Sequence, residues 1–187
     1  MKHPFEPSSI RCIVGIGNPE ARYANTYHNM GLRFVSFLSA KAEDEGVLPK
    51  KTQRDRTRAL STYPSGVLLA RSRLSMNLSG QAVRSALSTI PPEKLLLVHD
   101  DSDLALGAYR VSFGSGSAGH KGVQSVIEAL GTREFFRLRL GIREPVRHSK
   151  KRAEDFVLGQ VPASEEPTCT NAFSSIIETY ELIRFLS

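Results

Sequence analysis

Five polar side chains stand at places where strands should end. Asn18, Tyr23 and His28 lie in the stretch "GIGNPEARYANTYHNMG", just after a short apolar run. Asp100 closes a second apolar run, "KLLLVHD", and Asn77 follows a third. A lone histidine is more often a surface or structural residue than a catalytic one. A carboxylate at the end of a buried strand either caps a neighbouring element or orients a base. An aspartate bonded to imidazole Nδ1–H fixes the tautomer and leaves Nε2 free to take a proton. His28 with Asp100 is therefore a base-and-orienter pair in outline. No Gly-x-Ser-x-Gly elbow is present, and Cys12 falls inside a strand. With no protein nucleophile, water is the natural partner of the base. Amides at Asn18 and Asn77 could orient a carbonyl and donate to a developing oxyanion, although taken singly each asparagine reads equally as a turn or cap residue.

"SGSAGHKG", residues 115–122, is glycine-rich and opens a helix. Backbone N–H groups there could cradle a phosphate; a mobile loop is the competing reading. No Ser or Thr follows its lysine, so it is not a Walker A loop.

The elements that must place these residues follow from periodicity. "IRCIVGIG" reads as a buried strand closed by Gly-Asn-Pro. From Asn25 a helical period sets Met30, Phe34, Leu38 and Lys41 on one face, and Gly46 can end that helix in a left-handed conformation. "RALSTY" and "VLLARS" around "PSG" predict a hairpin. Ala82, Val83, Ala86, Leu87 and Ile90 form a helical stripe stopped by Pro91-Pro92. "KLLLVHD" is a strand covered on both faces, and "AYRVSF" is another strand. "GVQSVIEALG" is a helix ended by Gly131. "FRLRLGI" alternates and predicts one wet, basic face. A helical tail is expected from Ser164 to Ser187. Alternating strands and helices with some antiparallel pairing predict an α/β fold: a single domain with a mixed, twisted sheet sandwiched between helices. Ligands in such sheets sit beyond the carboxyl ends of the strands. One domain over 1–187 is expected, with 1–9 as a flexible N-terminal extension.

Composition narrows the function classes. The 187 residues are 40% hydrophobic, enough for one core. No run of about 18 apolar residues suggests a membrane span. The two cysteines, Cys12 and Cys169, make no disulfide framework and read as buried thiols in a reducing compartment. No metal-ligand spacing is present. The formal charge of +6 is concentrated in "KKTQRDRTR" (50–58) and "REPVRHSKKR" (143–152). Such runs are often solvated loops, but two in a small domain point towards a polyanionic partner. The N-terminus has no secretory stretch and too little Arg and Ser for a mitochondrial presequence; a cytoplasmic protein is expected, with a matured mitochondrial one as the alternative.

Together the motifs resemble the bacterial-type peptidyl-tRNA hydrolase family. The resemblance is collinear from about Ile13 to Gly159 through "GIGNPEARYANTYHNMGL", "MNLSG", "LLLVHDDSDLALG", "GHKG", "LGTREFFRLRLGI" and "DFVLG". The "NPE" spelling looks more eukaryotic than bacterial. The resemblance implies hydrolysis of the ester joining a peptide to the 3′ end of tRNA, without metal or cofactor, by a monomer whose partner is peptidyl-tRNA. By the same resemblance His28 is the base and Asp100 its orienting carboxylate. Asn18, Asn77 and His120 position substrate, and Tyr23 lines the peptide end of the cleft. Lys121 replaces the asparagine that normally helps to hold substrate, so it could weaken peptide anchoring or add a contact to RNA phosphate. Tyr27 stands where the family commonly has arginine, and the loop before "GHKG" is less glycine-rich than usual. On this reading the acceptor stem lies over Lys50, Lys51, Arg54, Arg133, Lys150 and Lys151. Two other readings remain open: a relative that binds RNA in processing or on ribosomes without hydrolysing, and a hydrolase of a small ester or amide.

Overall fold

A computed structural model describes residues 4–143 and 156–187. Seven strands form one sheet. In chain order they are β1 (Cys12–Gly15), β2 (Lys51–Arg54), β3 (Arg58–Thr62), β4 (Leu68–Ser72), β5 (Leu95–Ala105), β6 (Tyr109–Phe113) and β7 (Phe136–Arg143). Their spatial order is β2-β3-β4-β1-β5-β7-β6. The central four are parallel, and the hairpin partners β2, β3 and β6 run antiparallel to their neighbours. Five α-helices are described: α1 (Met30–Asp44), α2 (Ser79–Leu87), α3 (Lys121–Leu130), α4 (Glu166–Thr179) and α5 (Leu182–Leu186). The mixed sheet between helices is thus the architecture expected. None of these helices is long and apolar enough to cross a membrane.

Side-chain alternation splits the core into two layers. On β1 and β5, Cys12, Val14, Leu95 and Leu97 face α2 and α3. Ile13, Leu96 and Val98 face α1, α4 and α5. A strand buried on both sides must be apolar throughout, and β5 is so until it reaches His99 and Asp100. Polar residues therefore begin where the helical cover ends. Two glycines allow the close packing that brings elements to that end. A Cβ on Gly31 would lie 2.3 Å from the Val98 carbonyl oxygen, so the start of α1 rests directly on β5. A Cβ on Gly80 would lie 2.1 Å from the Ser125 carbonyl, which sets how tightly α2 meets α3. Gly131 adopts φ +69° past α3 and bonds its N–H to Ile127 O, the expected helix stop.

Several expectations are corrected. The run 50–58 is not a loop: Lys51–Arg54 forms the edge strand β2, and Arg58 opens β3. Charged side chains on an edge strand discourage pairing with another chain, which explains why so polar a segment is a strand. The basic face of "FRLRLGI" is not wet. Arg137 is 3% exposed and Arg139 bonds Asp101 through Nε, because β7 is an inner strand between β5 and β6. The inner stripe of α1 ends with Ala42, and Lys41 is exposed. That helix begins at Met30, preceded by 3-10 turns at Ala21–Tyr23 and Tyr27–Asn29. The C-terminal helix is broken: Glu181 takes φ +49°, separating α4 from α5. Within the expected N-terminal extension, Pro7–Ser9 form a 3-10 turn and Phe5 packs against the core. Phe5 meets Phe136 and Tyr180 edge-on, with centroids 5.3 and 5.0 Å apart. Cys12 and Cys169 are buried free thiols, as expected; burial pushes them up to about 12 and about 11.

Candidate active site

The middle of β5, where its apolar run ends, meets the turn before α1 and the start of α3. Asp100, 2% exposed, stands between two imidazoles. His28 Nδ1 lies 2.9 and 3.0 Å from its two carboxylate oxygens. His120 Nε2 lies 3.0 Å from Oδ1. The ring protons can be assigned from partners. His120 is the N-cap of α3, and its Nδ1 accepts from the backbone N–H of Gly122 and Val123 at 3.1 and 3.2 Å. An acceptor nitrogen carries no proton, so the His120 proton is on Nε2 and points at Asp100. A carboxylate can only accept, so His28 presents Nδ1–H to Asp100. Its lone pair is then on Nε2, the arrangement a general base requires. Burial alone would raise the Asp100 carboxyl. The facing imidazoles of His120 and His28 outweigh it and hold the group well below the usual carboxylate range.

The pair opens onto a cleft of about 560 Å³ whose walls include Asn18, His28, Asn77, Asp100, His120 and Lys121. Asn18 is fixed on three sides. Its backbone N–H donates to Asn29 Oδ1 at 2.7 Å, and its carbonyl accepts from Asn29 Nδ2 at 2.8 Å. Its Oδ1 accepts from the Met76 N–H at 2.9 Å. That last bond occupies the amide oxygen and leaves Nδ2 as the group offered to a ligand carbonyl. Asn77, the next residue after Met76, is exposed on the rim. Lys121 is exposed at the first position of α3.

His99 sits behind the pair, 2% exposed. Its Nδ1 lies 2.6 Å from the Asp100 carbonyl oxygen, and its ring meets His120 edge-on at 4.8 Å. Burial, then His120 and Arg137, push its pKa well below the usual imidazole value, so it is neutral. Its Nε2 has no hydrogen-bond partner among the described residues.

The remaining sequence-selected residues are distributed unevenly. Tyr23 is half-buried with the Arg22 guanidinium 4.6 Å over its ring, and it does not line the cleft. His120, expected to contact substrate, lines the cleft and also holds the Asp100 carboxylate. Arg54 ends β2 level with Gly15 and Val98 in the sheet register. Lys50 and Lys51 stand at the opposite end of that strand, and Lys50 Nζ is bonded to the Pro64 carbonyl. Arg133 is exposed just before β7, whose first residue pairs with Leu96. Four residues of strand separate that level from Asp100, roughly 13 Å. These three lie at the far end of the sheet from the cleft. Lys150 and Lys151 lie outside the described residues.

Two residues that brace the site escaped the sequence reading. Asn29 braces Asn18, and its signal was only the short polar string "YHN". Tyr27, read as a departure from the family pattern, is a buried anchor. It stacks on Phe156 at 4.7 Å and donates its hydroxyl to Glu165. With Asn25 and Thr26 it ties 156–161 beside the His28 turn, which brings Val157 and Leu158 to the cleft.

At the helix end of the glycine-rich loop the Gly122 and Val123 N–H groups are taken by His120. The donor chemistry also disfavours a metal. His28, Asp100 and His120 offer ligand atoms within 4.8 Å of one another. A cation on His120 Nε2 would have to displace the proton it shares with Asp100. The proton would then belong on Nδ1, which would uncap α3.

The sequence model of the peptidyl-tRNA hydrolase family matches residues 12–185. The peptidyl-tRNA hydrolase of Yersinia pseudotuberculosis is 36% identical over 179 residues, covering 94% of this chain and 90% of that protein. That of Mycobacterium marinum is 34% identical over 173 residues, covering 91% and 89%. The crystal structure of the Acinetobacter baumannii peptidyl-tRNA hydrolase superposes with a TM-score of 0.80 at 32% identity, covering 97% of this chain and 91% of that one. A family match across both core layers, joined to relatives of this similarity over nine-tenths of the chain, places this chain in the peptidyl-tRNA hydrolase family.

Proposed function

We propose that the chain hydrolyses the ester between a peptide and the 3′ end of tRNA, with His28 as general base and Asp100 as its orienting carboxylate. The observation that carries this reading is the carboxylate held between two imidazoles beside an asparagine amide at an open cleft. Asn18 Nδ2 donates to the ester carbonyl oxygen and to the oxyanion that develops on it. Asn77, exposed on the rim, binds the peptide's backbone. His28 Nε2 takes a proton from water as the water oxygen attacks the carbonyl carbon. Asp100 stabilises the resulting imidazolium. Collapse of the tetrahedral intermediate breaks the bond to the ribose oxygen, which takes the proton back from His28. The products are a peptide carboxylic acid, ionised at neutral pH, and tRNA with a free 3′ hydroxyl.

Lys121 leaves this machinery intact, because it lies on the wall and not between base and carboxylate. An RNA-binding relative without hydrolysis would have no use for a base of fixed tautomer beside a pinned amide. Release of labelled peptide from peptidyl-tRNA tests the proposal. His28→Ala is expected to lose at least about a hundredfold, the lower end of what base catalysis contributes. Parent-level turnover by His28→Ala would remove His28 from the role.

A further inference from the structure

A second groove, of about 790 Å³, meets the cleft at Asn18, which lines both. It runs between α1 and the β2–β4 end of the sheet. Four guanidiniums line it, from Arg33, Arg54, Arg71 and Arg73, against one carboxylate, that of Glu20. The register explains the clustering. Arg54 on β2 pairs with Ala59, which pairs with Arg71 on β4, and Arg71 pairs with Gly15. Arg73 follows two residues later, so these side chains share the carboxyl end of the parallel strands with Asn18.

Three of the four are held in place. Arg33 is paired with Glu166. Arg71 Nη1 donates to Ser36 Oγ at 2.9 Å, and Arg73 Nη1 donates to the Asp55 carbonyl. A guanidinium has five N–H donors, so one anchoring bond leaves a fork that can grip an anion bidentately. Arg54 is exposed on the edge strand.

We propose that this arginine groove binds the phosphodiester backbone of the RNA arm of the substrate, next to its 3′ end. The inference rests on the hydrolase reading above. An ester gripped at Asn18 has two arms. The peptide arm differs from one substrate to the next, whereas the phosphates are the same in all of them. Fixed cations suit the invariant, repeatedly charged arm. Arg33, Arg71 and Arg73 lie outside both charge runs of the sequence, and the groove assembles only on folding.

The test compares parent with the double variant Arg71→Gln/Arg73→Gln on two esters. One is full peptidyl-tRNA; the other is an N-acetylaminoacyl ester of a single nucleoside, which has no phosphate. The variant is expected to raise KM for peptidyl-tRNA roughly tenfold with kcat little changed. The slope of log KM against log salt should fall by about 1.4 to 1.8, for two phosphate contacts. The nucleoside ester should be turned over as by parent. Equal loss on both esters, or no loss on either, overturns the groove assignment while leaving the hydrolase reading in place. So does a loss seen with an acidic peptide but not with a neutral peptide on the same tRNA, which would assign the groove to the peptide. Affinity for uncharged tRNA is measured alongside. If parent is inert towards both esters yet binds tRNA more tightly than the variant, the hydrolase reading fails and the groove stands; equal affinities overturn the groove. Should the double variant melt early, Arg54→Glu on the exposed strand should likewise raise KM for peptidyl-tRNA only, with the salt slope falling by about 0.7 to 0.9 for the one contact removed; no change, or an equal loss on the nucleoside ester, overturns the groove.

Discussion

The cleft and the arginine groove share Asn18 and little else. In the cleft the base and its supports form one directed chain of hydrogen bonds. The cap bonds of α3 fix the His120 proton, that proton faces Asp100, and Asp100 fixes the tautomer of His28. In the groove Arg71 and Arg73 are each anchored by a bond, Arg54 stands out on the edge strand, and the cations stay partly or fully exposed. Chemistry at one atom requires hydrogen bonds with direction, held in a setting where solvent cannot loosen them. Recognition of a long polyanion requires only charge at suitable spacing, which water and salt screen. The two regions should therefore respond to different perturbations.

The largest effect is expected at the carboxylate. Asp100→Asn replaces an acceptor-only group with an amide that no longer imposes Nδ1–H on His28. kcat should fall by about a hundred- to ten-thousandfold, and equally for peptidyl-tRNA and for the nucleoside ester. A loss confined to the tRNA substrate would move Asp100 from the chemical region to the recognition region. His120 should give a smaller and separable pair of effects. His120→Ala removes both the α3 cap and the hydrogen bond to Asp100. It should cost about 1 kcal/mol of stability and roughly tenfold in kcat, about the worth of one hydrogen bond to a charged group, with KM unchanged. His120→Asn can still cap the helix but is too short to hold Asp100, so it should keep the melting temperature and lose the rate. If Asn restored both, the ring would be a cap and nothing more.

His99 offers a test through stability. It is neutral in the fold, whereas the unfolded chain's imidazole takes up a proton below its ordinary value of 6.5. The unfolded state then binds more protons, so stability is complete above about pH 6.5 and declines as pH falls beneath it. One proton corresponds to a slope of about 1.4 kcal/mol per pH unit. His99→Asn retains a donor for the Asp100 carbonyl and has no such titration. Its stability should be flatter between pH 6.5 and 5, as read by denaturant melts; an unchanged slope would assign the titration elsewhere. The smallest effect belongs to salt. Added salt should raise KM for peptidyl-tRNA and leave the nucleoside ester alone, since hydrogen bonds inside the cleft are little screened. Equal sensitivity of the two esters would erase the distinction between the regions.

The same contrast explains what the sequence could reveal. β1, β5 and the stripes of α2 and α3 were legible because a strand or helix buried on a known face leaves a period in the residues. The pair His28–Asp100 was legible because Asp100 comes at the end of the apolar run of β5 and His28 lies just before the periodic stripe of α1. The edge strand β2 was missed because its pairing depends on β3, and its charged residues carry no apolar period. Arg137 was misread because alternation shows which residues share a face but not whether the face is covered. Tyr27, Asn29 and the arginine groove depend on contacts between distant segments: Tyr27 with Glu165, Asn29 with Asn18, and Arg54 aligned with Arg71 across β3. Sheet register creates these neighbours, and no local pattern announces it.

The most direct measurement is a double-mutant cycle of His28→Ala and Asp100→Asn on the nucleoside ester, where the groove plays no part. If Asp100 acts only through the His28 imidazole, the double variant should be about as slow as His28→Ala alone, so that the two losses are far from multiplicative. Losses that multiply would show that the carboxylate and the imidazole work independently, and would contradict the pairing on which this account depends.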